Sequence, residues 1–165
     1  MKSIILATDK EHLKILIEKE VQENGDKCDL NHIDVSQVTE MTELFKYSSF
    51  NGDISKWKTH NVENMDHMFW NSSFNGDISK WDVSKVKSMC AIFYLSWFTQ
   101  DISNWTPYSL EELDNAFSFY DALEPYWAKI EEKNKRLNAI ENYLLHNYLN
   151  YNLSNSEKII KKIKV

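Results

Sequence analysis

The side chains able to do chemistry are few and widely spaced. The five histidines are His12, His32, His60, His67 and His146, and the closest pair, His60 and His67, is seven residues apart. No HExxH, GxSxG or Cys–His arrangement accompanies them, so neither a metalloprotease helix nor an activated nucleophile is signalled. Cys28 and Cys90 stand 62 residues apart without CxxC spacing, which suits unpaired thiols in a reducing compartment. Gly25, Gly52 and Gly76 are too scattered for a phosphate cradle. Asp29, Asp53, Asp77 and Asp101 recur every 24 residues. A column of carboxylates suggests Ca²⁺, but one aspartate per unit falls short of the alternating acids such a site needs. Their expected role is to bond the backbone of their own turns. The chain is therefore expected to be no enzyme, with no catalytic residues, no metal, no cofactor and no small-molecule substrate.

The elements behind these residues follow from a period of 24. Asn51-Gly52-Asp53-Ile54-Ser55-Lys56-Trp57 returns as Asn75-Gly76-Asp77-Ile78-Ser79-Lys80-Trp81 and, degraded, as Gln100-Asp101-Ile102-Ser103-Asn104-Trp105. Apolar columns keep the same register: Ile33, Trp57, Trp81 and Trp105; Val38, Val62, Val86 and Leu110; Met41, Met65, Met89 and Leu113; Phe45, Phe69, Phe93 and Phe117. A unit this short cannot close its own core, so neighbours must stack. The expected architecture is an α/β repeat: a short right-handed leucine-rich-repeat-like solenoid of about four 24-residue coils. Asp-Ile-Ser-Lys-Trp is expected to supply the strand of a parallel sheet. Val-x-x-Met-x-x-Met-Phe is expected to supply a short helix or helical turn. Stacking also accounts for 22 aromatics beside only three Gly and two Pro.

Residues 51–70 and 75–93 carry nearly complete copies of Phe-Asn-Gly-Asp-Ile-Ser-Lys-Trp-Asp-Val-Ser-x-Val-x-x-Met-x-x-Met-Phe. This unit resembles the BspA-like leucine-rich-repeat surface-protein family over about residues 28–120. The resemblance implies a right-handed solenoid that binds other proteins, and it transfers no catalytic residues.

Three segments are expected: a strand–helix cap over 1–27, four repeats over 28–123, and a helical cap with a basic tail over 124–165. Thr8-x-x-Glu11 reads as a capping box for a helix over 9–23 that stops at Asn24-Gly25. Ile4–Leu6 reads as an added strand. Pro125 opens an amphipathic helix over 125–149 carrying Ile130, Leu137, Ile140, Leu144 and Tyr148. Ser154-x-x-Glu157 reads as a second capping box. The apolar stretch at the N-terminus ends at Thr8-Asp9-Lys10-Glu11, short of the roughly 7–15 residues of a secretory signal. No apolar run reaches the roughly 20 residues of a membrane span, and the chain is expected in the cytoplasm.

Aromatics outside the core columns point to an interface, because exposed Trp and Tyr are enriched there. The candidates for partner binding are Tyr47, Trp70, Tyr94, Trp97, Tyr108, Phe119 and Tyr120, with Asp66, His67, Glu111 and Glu112 beside them. The competing reading packs these aromatics under the C-terminal helix. Residues 26–124 carry a net charge of −9, and residues 125–165 a net +4. The function expected is a non-catalytic protein-binding module. It suits a small antagonist of another protein, such as a toxin-neutralising immunity protein or an anti-CRISPR-like inhibitor of a nucleic-acid-binding host complex. A surface adhesin and an acidic nucleic-acid mimic are the alternatives.

Overall fold

The computed structural model describes residues 2–117, 125–130 and 132–163. The chain divides into two compact units, Met1–Tyr126 and Trp127–Val165.

The first unit opens with strand β1, Ile5–Leu6, paired in parallel with β2, Ile33–Asp34, in the register Ile5↔Ile33 and Leu6↔Asp34. Helix α1, Lys10–Asn24, lies between them in sequence. Its cap is Asp9 rather than Thr8: the Asp9 carboxylate accepts from the His12 amide at 2.9 Å. Both residue types can cap, and the helix takes the one directly before its first turn. Leu13 and Ile17 form its buried stripe. Gly25 ends it at φ 81°, its N–H donating to the Val21 carbonyl at 2.8 Å. Glu20 of α1 ties the helix to the first repeat, accepting from Lys2 and pairing with buried His32 at 3.1 Å.

Beyond α1 the units pair with one another in parallel. Single bridges join Asp29↔Asp53, Glu40↔Asn64, Asn64↔Ser88 and Ser88↔Glu112. Two expected local structures are corrected here. Asp-Ile-Ser-Lys-Trp is a turn, each aspartate side chain accepting from the amide two residues on: Asp53 from Ser55, Asp77 from Ser79, Asp101 from Ser103. Val-x-x-Met-x-x-Met-Phe contains no helix. It is a run of overlapping turns in which alternate amides leave for the next unit. Met41, Glu43, Phe45 and Tyr47 donate to the carbonyls of Asn64, Asp66, Met68 and Trp70, and the amides of Leu44, Lys46 and Ser48 close turns back to the carbonyls of Met41, Glu43 and Phe45. The physical reason is left-handed backbone. Glu43 and Tyr47, His67 and Asn71, Ala91 and Leu95, and Asn115 all have φ between 49° and 60°. Such residues interrupt helix and strand alike, while the alternate amides of the run still find acceptors in the next unit.

The core lies inside these turns. Phe45, Phe69 and Phe93 stack nearly parallel at 5.5 and 5.6 Å. Trp57, Trp81 and Trp105 stack at 6.1 and 6.5 Å. Each indole N–H crosses to the preceding unit: Trp57 to the Leu30 carbonyl, Trp81 to Ile54 and Trp105 to Ile78, at 3.0–3.1 Å. The column therefore buries apolar area and satisfies one carbonyl per unit. Leu113 and Phe117, in the last unit, are only half-buried. Gly52 is required by close approach, since a Cβ there would meet the Cys28 carbonyl at 2.1 Å.

In the second unit, residues 127–129 lie in a turn and helix α2 spans Lys133–Ile163. It begins later than Pro125 and runs through Ser154-x-x-Glu157 unbroken. No Gly or Pro lies between 133 and 163, so nothing stops the helix where a second cap was expected. Ile140 is buried and Leu137 half-buried, while Leu145, Tyr148, Leu149 and Leu153 are exposed.

Candidate functional site

The overlapping turns make a corner in every unit, and the left-handed residues sit on it. Except for buried Ala91, the side chains at these positions in the first three units are exposed or half-buried. Trp70 and Tyr94 occupy equivalent places on successive corners, and their rings meet edge to face at 5.5 Å. His67 stacks on Trp70 at 4.7 Å. From the preceding corner, Lys46 places its ammonium 5.0 Å from the Trp70 centroid and 5.6 Å from that of Tyr47. Lys46 is held there by an ion pair with Glu43. The hydrogen bond from Lys46 keeps the Glu43 carboxyl below its usual pKa, outweighing the opposing effect of burial.

A cleft of about 490 Å³ opens beside this cluster, lined by His67, Trp70, Cys90, Ala91, Tyr94, Asp114 and Asn115. The Asp114 carbonyl accepts from the Ala91 amide at 2.8 Å, which fixes the backbone that carries the carboxylate. Cys90 is half-buried; its amide donates to Asp66 at 2.7 Å and its sulfur lies 3.6 Å from the Ser88 hydroxyl. Among the described residues no hydrogen bond joins the Cys90 thiol to His67. The cleft's walls can hold an apolar or cationic group between aromatic rings and a carboxylate.

The sequence candidates separate into several places. His67, Trp70 and Tyr94 come together in the cleft, and Tyr47, 65% exposed, joins them through Lys46. Trp97 is 75% exposed and Leu95 41%, on the segment that leaves the third corner. The Trp97 amide is fixed to the Ser72 carbonyl at 3.1 Å. Tyr108 is 40% exposed and belongs to a different turn, closed by its amide on the Thr106 carbonyl. Glu111 and Glu112 are exposed at the last bridge. Asp66 is turned inward: one carboxylate oxygen accepts from both the Cys90 amide and the Ser88 hydroxyl, so it is committed to the scaffold rather than offered outward. Phe119 and Tyr120 lie outside the described residues. Lys46, Cys90, Asp114 and Asn115 were missed as site residues. The signal for two of them was in the register, since Lys46 shares the column of Trp70 and Tyr94, and Asn115 that of His67.

Residues 17–128 match the model of the DUF285 family, described as a Mycoplasma protein of unknown function. The match spans more than half of the chain, which belongs to this family. No curated protein and no solved structure matches the chain. No described helix is long and apolar enough to cross a membrane.

Proposed function

We propose that the chain is a non-enzymatic protein-binding module. In this reading it is a short right-handed solenoid of the BspA-like leucine-rich-repeat kind, and its binding face is the corner bearing Tyr47, Trp70, Tyr94, Leu95 and Trp97. The observation that carries the reading is Trp97, 75% exposed on backbone hydrogen-bonded to the neighbouring unit. An aromatic side chain buries about 150–250 Å² when covered. Tyr47 and Trp97, with the exposed edges of Trp70 and Tyr94, therefore supply part of the apolar centre of an interface of about 800 Å² per partner. Rigid presentation matters as much as area, because side chains already held in place lose less entropy on binding.

The narrower reading makes the chain an antagonist that occupies a basic working surface of its partner. The net −9 of residues 26–124 supports it. Affinity capture with the wild type and with a Trp70→Ala/Trp97→Ala variant tests both levels. The expected result is a stoichiometric protein partner held by the wild type and lost by the variant at unchanged Tm. Equal capture by both proteins would move the binding face elsewhere. Assaying the captured partner with and without the chain separates antagonism from simple binding.

A further inference from the structure

We propose that strand β1 is a dimerisation edge: Ile4-Ile5-Leu6 pairs antiparallel with the same residues of a second copy, around a two-fold axis at Ile5. The proposal goes beyond the binding-face reading and does not rest on it. Three observations carry it.

First, the outer edge of β1 is open. The Ile5 and Ala7 amides donate inward to the His32 and Asp34 carbonyls, at 3.0 and 2.9 Å. Successive residues of a strand turn their backbone groups opposite ways, so the N–H and C=O groups of Ile4 and Leu6 point away from β2. Among the described strands β1 has β2 as its only neighbour. Edge strands are ordinarily blunted by charge, proline, a bulge or a covering element. Here Ile4, Ile5 and Leu6 carry no charge and are 68%, 36% and 41% exposed.

Second, the edge complements itself. The register that sets Ile5 opposite Ile5 also sets Ile4 opposite Leu6 in both directions. Each Ile4–Leu6 pair then exchanges both its N–H and C=O groups, and aliphatic side chains meet across the strands on both faces. The open edge of each copy is used up, so the contact closes as a dimer rather than a filament. The β1–β2 ladders of the two copies run on as one continuous sheet, which is more stable than an isolated strand pair.

Third, charge selects this occupant and this direction. No residue from Ser3 to Ala7 is charged, so no like charges meet at the axis. The antiparallel register brings Lys2 beside Thr8 and Asp9 of the second copy, twice by symmetry. Asp9 stays ionised, because hydrogen bonds from the His12 amide and the Thr8 hydroxyl hold its carboxyl below the ordinary range. Lys2 also pairs with Glu20, and an ammonium has donors enough for both. A parallel strand would set Lys2 against Lys2 instead. The aliphatic area offered is well short of the roughly 1,200 Å² of a stable interface, so the dimer is a weak one, with a Kd on the order of 100 µM.

The test uses the full chain. Sedimentation velocity from about 5 µM to about 1 mM should show a reversible shift from monomer to dimer and nothing larger. Hydrogen exchange at both ends of that range reads the unaltered protein. The Ile4 and Leu6 amides should exchange freely in the monomer and slow by about fivefold in the dimer, whereas those of Ile5 and Ala7 stay protected in both. Ile5→Lys and Ile5→Glu each set like charges opposite one another at the axis, and each alone should stay monomeric at about 1 mM. Mixed in equal amounts, the two should associate again. Ile15→Lys, at a 64% exposed position of α1, should dimerise as the wild type does. A wild type that stays monomeric would overturn the proposal. So would a dimer whose Ile4 and Leu6 amides remain unprotected, growth beyond the dimer, or folded Lys and Glu variants that fail to associate when mixed. Should those variants unfold, the exchange measurement on the wild type decides alone. Protection of Ile4 and Leu6 only on adding a different protein would assign the edge to that protein and remove the second copy.

Discussion

Replacing Trp81 tests the core most sharply, because its ring does two separable jobs. It is 4% exposed and stacked between Trp57 at 6.1 Å and Trp105 at 6.5 Å, and its indole N–H donates to the Ile54 carbonyl at 3.1 Å. Trp81→Ala removes both. Loss of a buried aromatic costs about 3–5 kcal/mol, and a buried carbonyl left without its donor adds about 1–3 kcal/mol. Against a domain stability of about 5–15 kcal/mol, this leaves the variant largely unfolded or close to it. Trp81→Phe keeps a stacked ring and removes the donor. Its expected cost is about 2–3 kcal/mol, most of it from the orphaned carbonyl. Urea unfolding followed by far-ultraviolet circular dichroism reads both variants without relying on the altered fluorophore. With a slope of about 1–3 kcal/mol per molar, Trp81→Phe should lower the midpoint by about 1–2 M. A Trp81→Phe protein within about 0.5 kcal/mol of the wild type would refute the hydrogen-bonded column.

Other substitutions and conditions give independent checks. Gly52→Ala should destabilise by more than 2 kcal/mol, on the order of a severe core clash, because its Cβ would stand 2.1 Å from the Cys28 carbonyl; thermal melts read it. Leu95→Gly should stabilise by about 0.5–1 kcal/mol, since a left-handed residue at φ 56° loses its steric cost while the gain in unfolded-state freedom is smaller. The carboxyls of Asp77, Asp82 and Asp101 are held below their ordinary value of 3.8 by hydrogen bonds from Ser79, Ser84 and Ser103. Their stabilisation is complete above the unfolded pKa and is lost as pH falls through the depressed folded values. Tm should therefore be flat from about pH 7 to 5 and drop below about pH 4. Iodoacetamide should label Cys90 well before Cys28, whose thiol is buried and pushed up in pKa by that burial.

The repeat columns were legible because their period is fixed and their residues are large. Trp57, Trp81 and Trp105 can be aligned by eye, and burying one requires burying its neighbours. The turns were not legible for a physical reason. Apolar residues at 3–4 spacing fit a helix, but overlapping turns that return every three residues place Val62, Met65 and Met68 on the inner side just as well. Asn71 and Asn115 advertise left-handed backbone; Glu43, Tyr47, His67 and Ala91 are held there by hydrogen bonds from one unit to the next. Local propensity carries no trace of such a constraint. The start of α1 was ambiguous between Thr8 and Asp9 because both residue types cap. The full length of α2 is hidden because Ser154-x-x-Glu157 has the form of a capping box although no breaker stands there. Of the site, Trp70 and Tyr94 stood out by falling off the core columns. Asp114 did not, because its column, Thr42, Asp66, Cys90 and Asp114, keeps no constant residue type from unit to unit.

The central claim is that one set of tryptophans builds the repeat stack while another faces outward to bind. Hydrogen exchange of the assigned indole N–H groups, followed by NMR, reads both sets in one experiment. The indoles of Trp57, Trp81 and Trp105 should exchange slowly, close to the rate set by global unfolding. That of Trp97 should exchange at nearly the rate of a free indole. A protected Trp97, or a rapidly exchanging member of the 57–81–105 column, would contradict the account.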